Sequence, residues 1–122
     1  MVTEGPDLDG WWVATAGKLG GVRLPKEALV DLTLRLRNGT FRFGTDEGRT
    51  VINRHVQPQT LDIIPTRGPH RGRVVPAIIE ITDSSLRICC DLSGTCRPHD
   101  FKAPAGTRRF LAKYRRVPIE SR

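Results

Sequence analysis

The pair Asn38-Gly39 constrains this chain most. It stands between two runs of alternating character, Asp31-Leu32-Thr33-Leu34-Arg35-Leu36-Arg37 and Thr40-Phe41-Arg42-Phe43. A two-residue type I′ turn needs positive φ at both central positions, which Asn and Gly tolerate best, and its twist suits paired strands. The turn sets a register in which Arg37 meets Thr40, Leu36 meets Phe41, Arg35 meets Arg42 and Leu34 meets Phe43. Every apolar side chain then faces an apolar one, and a slip of one residue would turn both strands inside out. Turn chemistry and hydrophobic period agree, so a hairpin with one buried face is expected here.

The same period of two recurs along the chain. Residues 11–15 read as a first strand, broken by Gly17, Gly20 and Gly21. Residues 25–29 allow one helical turn, since Pro suits a first helical position. Residues 44–48 read as a turn, and 49–56 as a strand whose inward face is ambiguous. Residues 60–64 form a strand with Leu61 and Ile63 inward, followed by the basic loop Arg67-Gly68-Pro69-His70-Arg71-Gly72-Arg73. Residues 74–81 place Val75, Ala77, Ile79 and Ile81 on one face, with Pro76 pointing to an edge or an irregular start. After the turn Asp83-Ser84-Ser85, residues 86–90 place Leu86, Ile88 and Cys90 together. Residues 93–106 are loop-like, and 108–117 form a last strand presenting Phe110, Ala112 and Tyr114.

No helix separates the strands, which disfavours parallel βαβ layouts. The expected fold is all-β, an antiparallel up-and-down barrel of about eight strands with at most one short helical turn. Closure into a barrel would also remove exposed edges. Residues 10–117 make up the domain, with 1–9 a flexible lead-in and 118–122 a C-terminal tail.

At 122 residues the chain suits one domain. Its formal charge of +7 is uneven: residues 1–64 sum to zero, and residues 65–122 carry the whole excess. A basic half can attract phosphate, anionic lipid or an acidic protein, or can be a solvated surface. No apolar run approaches the roughly 20 residues of a spanning helix. The acidic opening residues lack the marks of a secretory signal, so the chain as given reads as cytoplasmic. Three cysteines, Cys89, Cys90 and Cys96, do not suggest a disulfide framework.

The series Leu8-x-Gly10-x-Trp12 resembles the Gly-x-Trp opening of lipocalin-like barrels. Further matches lie in Pro25, Glu27 and Leu29, in Leu61-Asp62-Ile63 with Pro65, and in Gly68 and Gly72. They continue in Ile78, Glu80 and Ile81, in Leu86-Arg87-Ile88-Cys89, in Arg97-Pro98 with Phe101, and in Tyr114-Arg115-Arg116. In order and spacing these resemble a lipocalin-like domain family expanded in planctomycetes, over roughly residues 6–117. The resemblance implies a barrel and brings no established activity, ligand or catalytic residues. Many relatives carry an export signal. It also implies that Trp12 plugs the closed end, braced by a guanidinium from Arg115 or Arg116.

Candidate sites follow. The inward face would comprise Leu34, Leu36, Phe41, Phe43, Leu61, Ile63, Ala77, Ile79, Leu86, Ile88, Phe110 and Tyr114. Eight strands leave room for packed side chains or one small apolar or amphipathic ligand. An anion or partner surface would use Arg35, Arg37 and Arg42 on the hairpin and Arg67, Arg71 and Arg73 in the basic loop, with His70 beside them. Nucleic acid is disfavoured, because Trp11 is the one external aromatic evident for stacking. Cys96-x-x-His99 with Cys89 falls short of the usual four zinc ligands. Cys90 reads as a core residue and Cys89 as an exposed thiol. His55, His70, His99, Asp62 and Asp100 show no spacing that assembles a catalytic group, so a non-enzymatic binding barrel without cofactor or metal is expected. A protein-interaction module using a basic outer face is the alternative, and an anion or nucleic-acid binder the third.

Overall fold

The computed structural model describes residues 6–118. Its elements are β1 (Gly10–Leu19), β2 (Val22–Arg23), α1 (Lys26–Leu29), β3 (Leu34–Arg37), β4 (Thr40–Phe43), β5 (Asp46–Asn53), β6 (Gln59–Arg67), β7 (Val75–Ile81), β8 (Ser85–Asp91) and β9 (Arg109–Arg116). Strands β1 and β3–β9 form an eight-stranded antiparallel barrel closed by β1 against β9, and β2 hangs on β1 as an extra strand. The hairpin has the expected register, Leu34 to Phe43 through Arg37 to Thr40. Asn38 and Gly39 hold φ of 49° and 75°.

Strand β1 departs from expectation by running past Gly17. Thr15 is an unpaired extra residue between the Ala14–Tyr114 and Ala16–Lys113 pairs. A bulge of this kind shifts the side-chain phase by one. Trp12 and Ala14 are buried before it, and Gly17 after it. A Cβ on Gly17 would lie 2.9 Å from Leu24 Cδ1, so its bareness seats the segment leading into α1. Leu29 and Leu32 then pack against the barrel core.

The expected turn at 44–48 shrinks to Gly44-Thr45, because Phe43 already pairs with Asp46. In β5 the half-buried Thr50 and Ile52 alternate with exposed residues, which settles its inward face. Strand β6 continues through Pro65, with a bulge opposite Glu47 and Gly48. There the two backbones approach so closely that a Cβ on Gly48 would meet the Ile64 carbonyl at 2.1 Å. Strand β7 is paired on both sides, so Pro76 marks a strand start and not a sheet edge.

One end of the barrel is plugged. Trp12 is fully buried, and its Nε1 donates to the Leu8 carbonyl at 3.0 Å. The Arg116 guanidinium lies 4.2 Å from the ring centroid. It also donates to the carbonyls of Asp83, Asp9 and Asp7 at 2.7, 2.8 and 2.5 Å. Gly10 leaves the space this needs, since a Cβ there would lie 3.1 Å from Arg116 Nη1. Arg115 is exposed, so Arg116 is the brace. Residues 6–9, expected within a flexible lead-in, are tied down by these bonds, and Leu8 joins the core. The rest of that lead-in, residues 1–5, and residues 119–122 of the tail lie outside the described residues.

Residues 92–108 form a strap across the outside of β7 and β8. Arg97 donates to Asp62 Oδ1 at 2.6 Å and to the Ala77 carbonyl at 3.0 Å. Arg109 reaches Asp100 at 3.0 Å, and the Arg87 guanidinium sits 4.1 Å from the Phe101 centroid. Pro98 and Ala103 are buried in the strap, as is the outward pair Ile78–Cys89 beneath it. At its base Asp91 accepts from the Ser93 amide at 3.0 Å, the Ser93 hydroxyl at 2.6 Å and the Cys96 amide at 3.0 Å.

Candidate functional site: the barrel lumen and its mouth

Away from Trp12 the barrel is hollow. A cavity of about 210 Å³ opens at the end where β5, β7 and β9 begin and β6 and β8 finish. Of the expected interior residues, Leu34, Leu36, Phe41, Phe43, Leu61, Ile63, Ile88, Phe110 and Tyr114 line it. Ala77, Ile79 and Leu86 do not. They are buried in the packed core of the barrel, outside the hollow.

Val75, Leu92 and Pro65 complete the apolar wall, with Cys90, Thr50 and Ala112 as smaller members. Burial pushes the Cys90 thiol up to about 12 and raises the Tyr114 phenol as well. Both stay protonated at neutral pH, so the wall is uncharged. A buried thiol held in that form is a poor nucleophile.

Charge is confined to the rim, formed by Asp46, His70, Arg73 and Arg108. Asp46 organises it. Its Oδ2 lies 2.8 Å from His70 Nδ1, and its Oδ1 accepts from the His70 amide at 3.2 Å. Gly68, at φ 101°, lets the basic loop come this near, because a Cβ there would lie 2.5 Å from Asp46 Oδ1. The loop is closed by bonds from the Gly72 amide to the Pro65 carbonyl and from the Arg73 amide to the His70 carbonyl, both 3.2 Å. Arg73 is thereby delivered to the mouth. Arg108 arrives from the far end of the strap, where its carbonyl accepts from the Leu92 amide at 2.9 Å.

The other expected arginines do not converge. Arg42 is paired with Glu47 at 2.6 Å, and the hydrogen bond from Arg42, with its charge, holds the Glu47 carboxyl below its ordinary value. Arg35 leans on Trp11, 5.3 Å from the ring centroid. Arg37, Arg67 and Arg71 are exposed and take no part in the rim.

The cysteine assignment is reversed at one position. Cys89 is buried under the strap, its thiol 3.5 Å from the Lys102 carbonyl, and Cys96 is the exposed thiol. No cluster of three or more His, Cys, Asp or Glu side chains placed to hold a metal occurs among the described residues. His70 does gain an acid, Asp46, which the linear spacing had not paired with it. No Ser, Thr or Cys side chain hydrogen-bonds the His70 ring among the described residues.

Arg108 was not foreseen, although a signal existed. In an up-and-down barrel every second connection lies at the same end. The connection before 74–81 and the one before 108–117 must therefore share a rim, which puts Arg73 and Arg108 together. Comparison with protein-family models, curated proteins and solved structures returned no match. Among the described residues no helix is long and apolar enough to cross a membrane.

Proposed function

We propose that this domain is a non-enzymatic, lipocalin-like binding barrel that takes one small amphipathic molecule, tail first, into its lumen. The observation that carries the reading is the 210 Å³ hollow, walled by uncharged side chains and open at a single charged rim. An engineered cavity of about 150 Å³ accommodates benzene, so this one suits a tail of roughly eight heavy atoms. The Asp46–His70 pair supports positioning of the loop better than hydrolysis, because the thiol in the wall is held protonated. A protein-interaction role for the basic outer face has less support, since Arg42 is neutralised by Glu47 and Arg35 is engaged with Trp11.

The test uses 1-octanol, which has no charge to attract the rim. Uptake is expected by calorimetry, with NMR shifts concentrated on Phe41, Ile63, Ile88 and Phe110. The Ala112→Leu variant, which fills the wall without adding polarity, should bind more weakly while remaining folded. Shifts spread over the outer surface, with none in the lumen, would refute the reading.

A further inference from the structure

We infer that Arg73 and Arg108 form a head-group site at the mouth, and that the molecule it accepts is a single-chain carboxylate. The inference rests on the lumen reading above and specifies its ligand. Four arginines are held by carboxylates: Arg42 by Glu47, Arg87 by Glu80, Arg97 by Asp62 and Arg109 by Asp100. Arg73 and Arg108 line the cavity, yet neither guanidinium has an ion pair or side-chain hydrogen bond among the described residues. Asp46, the one acid on the rim, is turned to the His70 ring and amide. A guanidinium without a partner beside an apolar hollow is an anion site, since it offers a planar fork of donors that matches a carboxylate.

The charge count selects the head group. Counted with histidine neutral, two guanidiniums against one carboxylate leave one net positive charge at the mouth, which a monoanion balances. A phosphate monoester would bring a second negative charge towards Asp46. The tail must be short or compact, because the lumen is small and the Trp12 plug closes its far end.

The experiment compares octanoate, 1-octanol, octylammonium and octyl phosphate by calorimetry. It uses the whole chain and the double variant Arg73→Gln/Arg108→Gln. Both sites are exposed, so the variant should fold, and its melting curve checks this. Octanoate should bind the native chain roughly tenfold more tightly than octanol at low salt. That advantage should shrink at about 0.5 M salt and vanish in the double variant, with octanol affinity unchanged. Equal affinity for octanoate and octanol in the native chain would overturn the head-group site and leave the lumen reading standing. So would a preference that survives in the double variant. Tighter binding of octylammonium or octyl phosphate than of octanoate would overturn the carboxylate assignment. If none of the four binds, the lumen reading fails and this inference with it.

Discussion

Single residues in this barrel act through what they leave in place as much as through what they touch. Arg116 stacks on Trp12 and bonds three carbonyls that belong to two separate segments. Replacing it by Met should cost about 2–3 kcal/mol, less than the sum of its charge-assisted hydrogen bonds and cation–π contact, because two of the three bonds are exposed to water. Lys should recover little, because an ammonium lacks the fork that reaches several acceptors. Urea denaturation midpoints of the two variants check both statements. Asp91 offers a pH handle. Burial works to raise its carboxyl, but the Ser93 hydroxyl and the Cys96 and Ser93 amides outweigh that and hold it below its ordinary value. A depressed folded pKa means that its contribution is present above the unfolded value of about 3.9 and is lost as pH falls through the folded one. Asp91→Asn should therefore destabilise the chain by about 1–2 kcal/mol at neutral pH. Thermal melts from neutral to strongly acid pH should show that difference closing below about pH 4. A difference that stayed constant with pH would show that Asp91 acts through shape alone.

Among elements, the basic loop at residues 68–73 decides whether the mouth is charged. Gly68→Ala would force a methyl against Asp46 Oδ1 and the Thr45 carbonyl, at 2.5 and 2.6 Å. The loop should lift while the barrel persists. The His70 amide should then lose its protection from hydrogen exchange, with β6 and β7 amides unchanged, and Arg73 should leave the rim. Much of this level was legible beforehand. The hairpin register followed from Asn38-Gly39, and the inner face of β8 and β9 from strict alternation. What was not legible has a common cause, because linear alternation does not register a bulge. The bulge at Thr15 hid the continuation of β1. The bulge at Thr66, opposite Glu47 and Gly48, hid the continuation of β6 to Arg67 and with it the pairing that carries the start of β5. Residues 93–106 are the loop expected, but the order within it was hidden, because it comes from Arg97 and Phe101 meeting Asp62 and Arg87 on other strands.

At the scale of the whole molecule, the asymmetry between a plugged end and a hollow end sets the size of what can enter. Each methylene buried in the lumen is worth about 0.8 kcal/mol, close to a fourfold change in Kd. Across a series of straight-chain alcohols, affinity should rise by that factor per carbon and level off near eight heavy atoms, where the hollow of about 210 Å³ is full. Calorimetry across the series checks both the slope and the break. A slope that continued well beyond that length would mean that the plug yields. The barrel shape was legible from strand count and turn spacing. The hollow was not, because whether inward side chains meet across a lumen depends on volumes summed around a ring. Ala77, Cys90 and Ala112 look alike in a period-two pattern, yet only the last two border empty space.

The Arg116 clamp also decides how the domain can be handled and joined. It draws residues 7–9 beside residue 116, while the Val117 amide bonds the Trp11 carbonyl at 2.9 Å. Both ends of the described chain therefore leave the barrel side by side at its closed base. A fused partner, a dye or a surface linker attached at either end would stand off from that base, and an immobilised array of the domain would present every mouth to the solution.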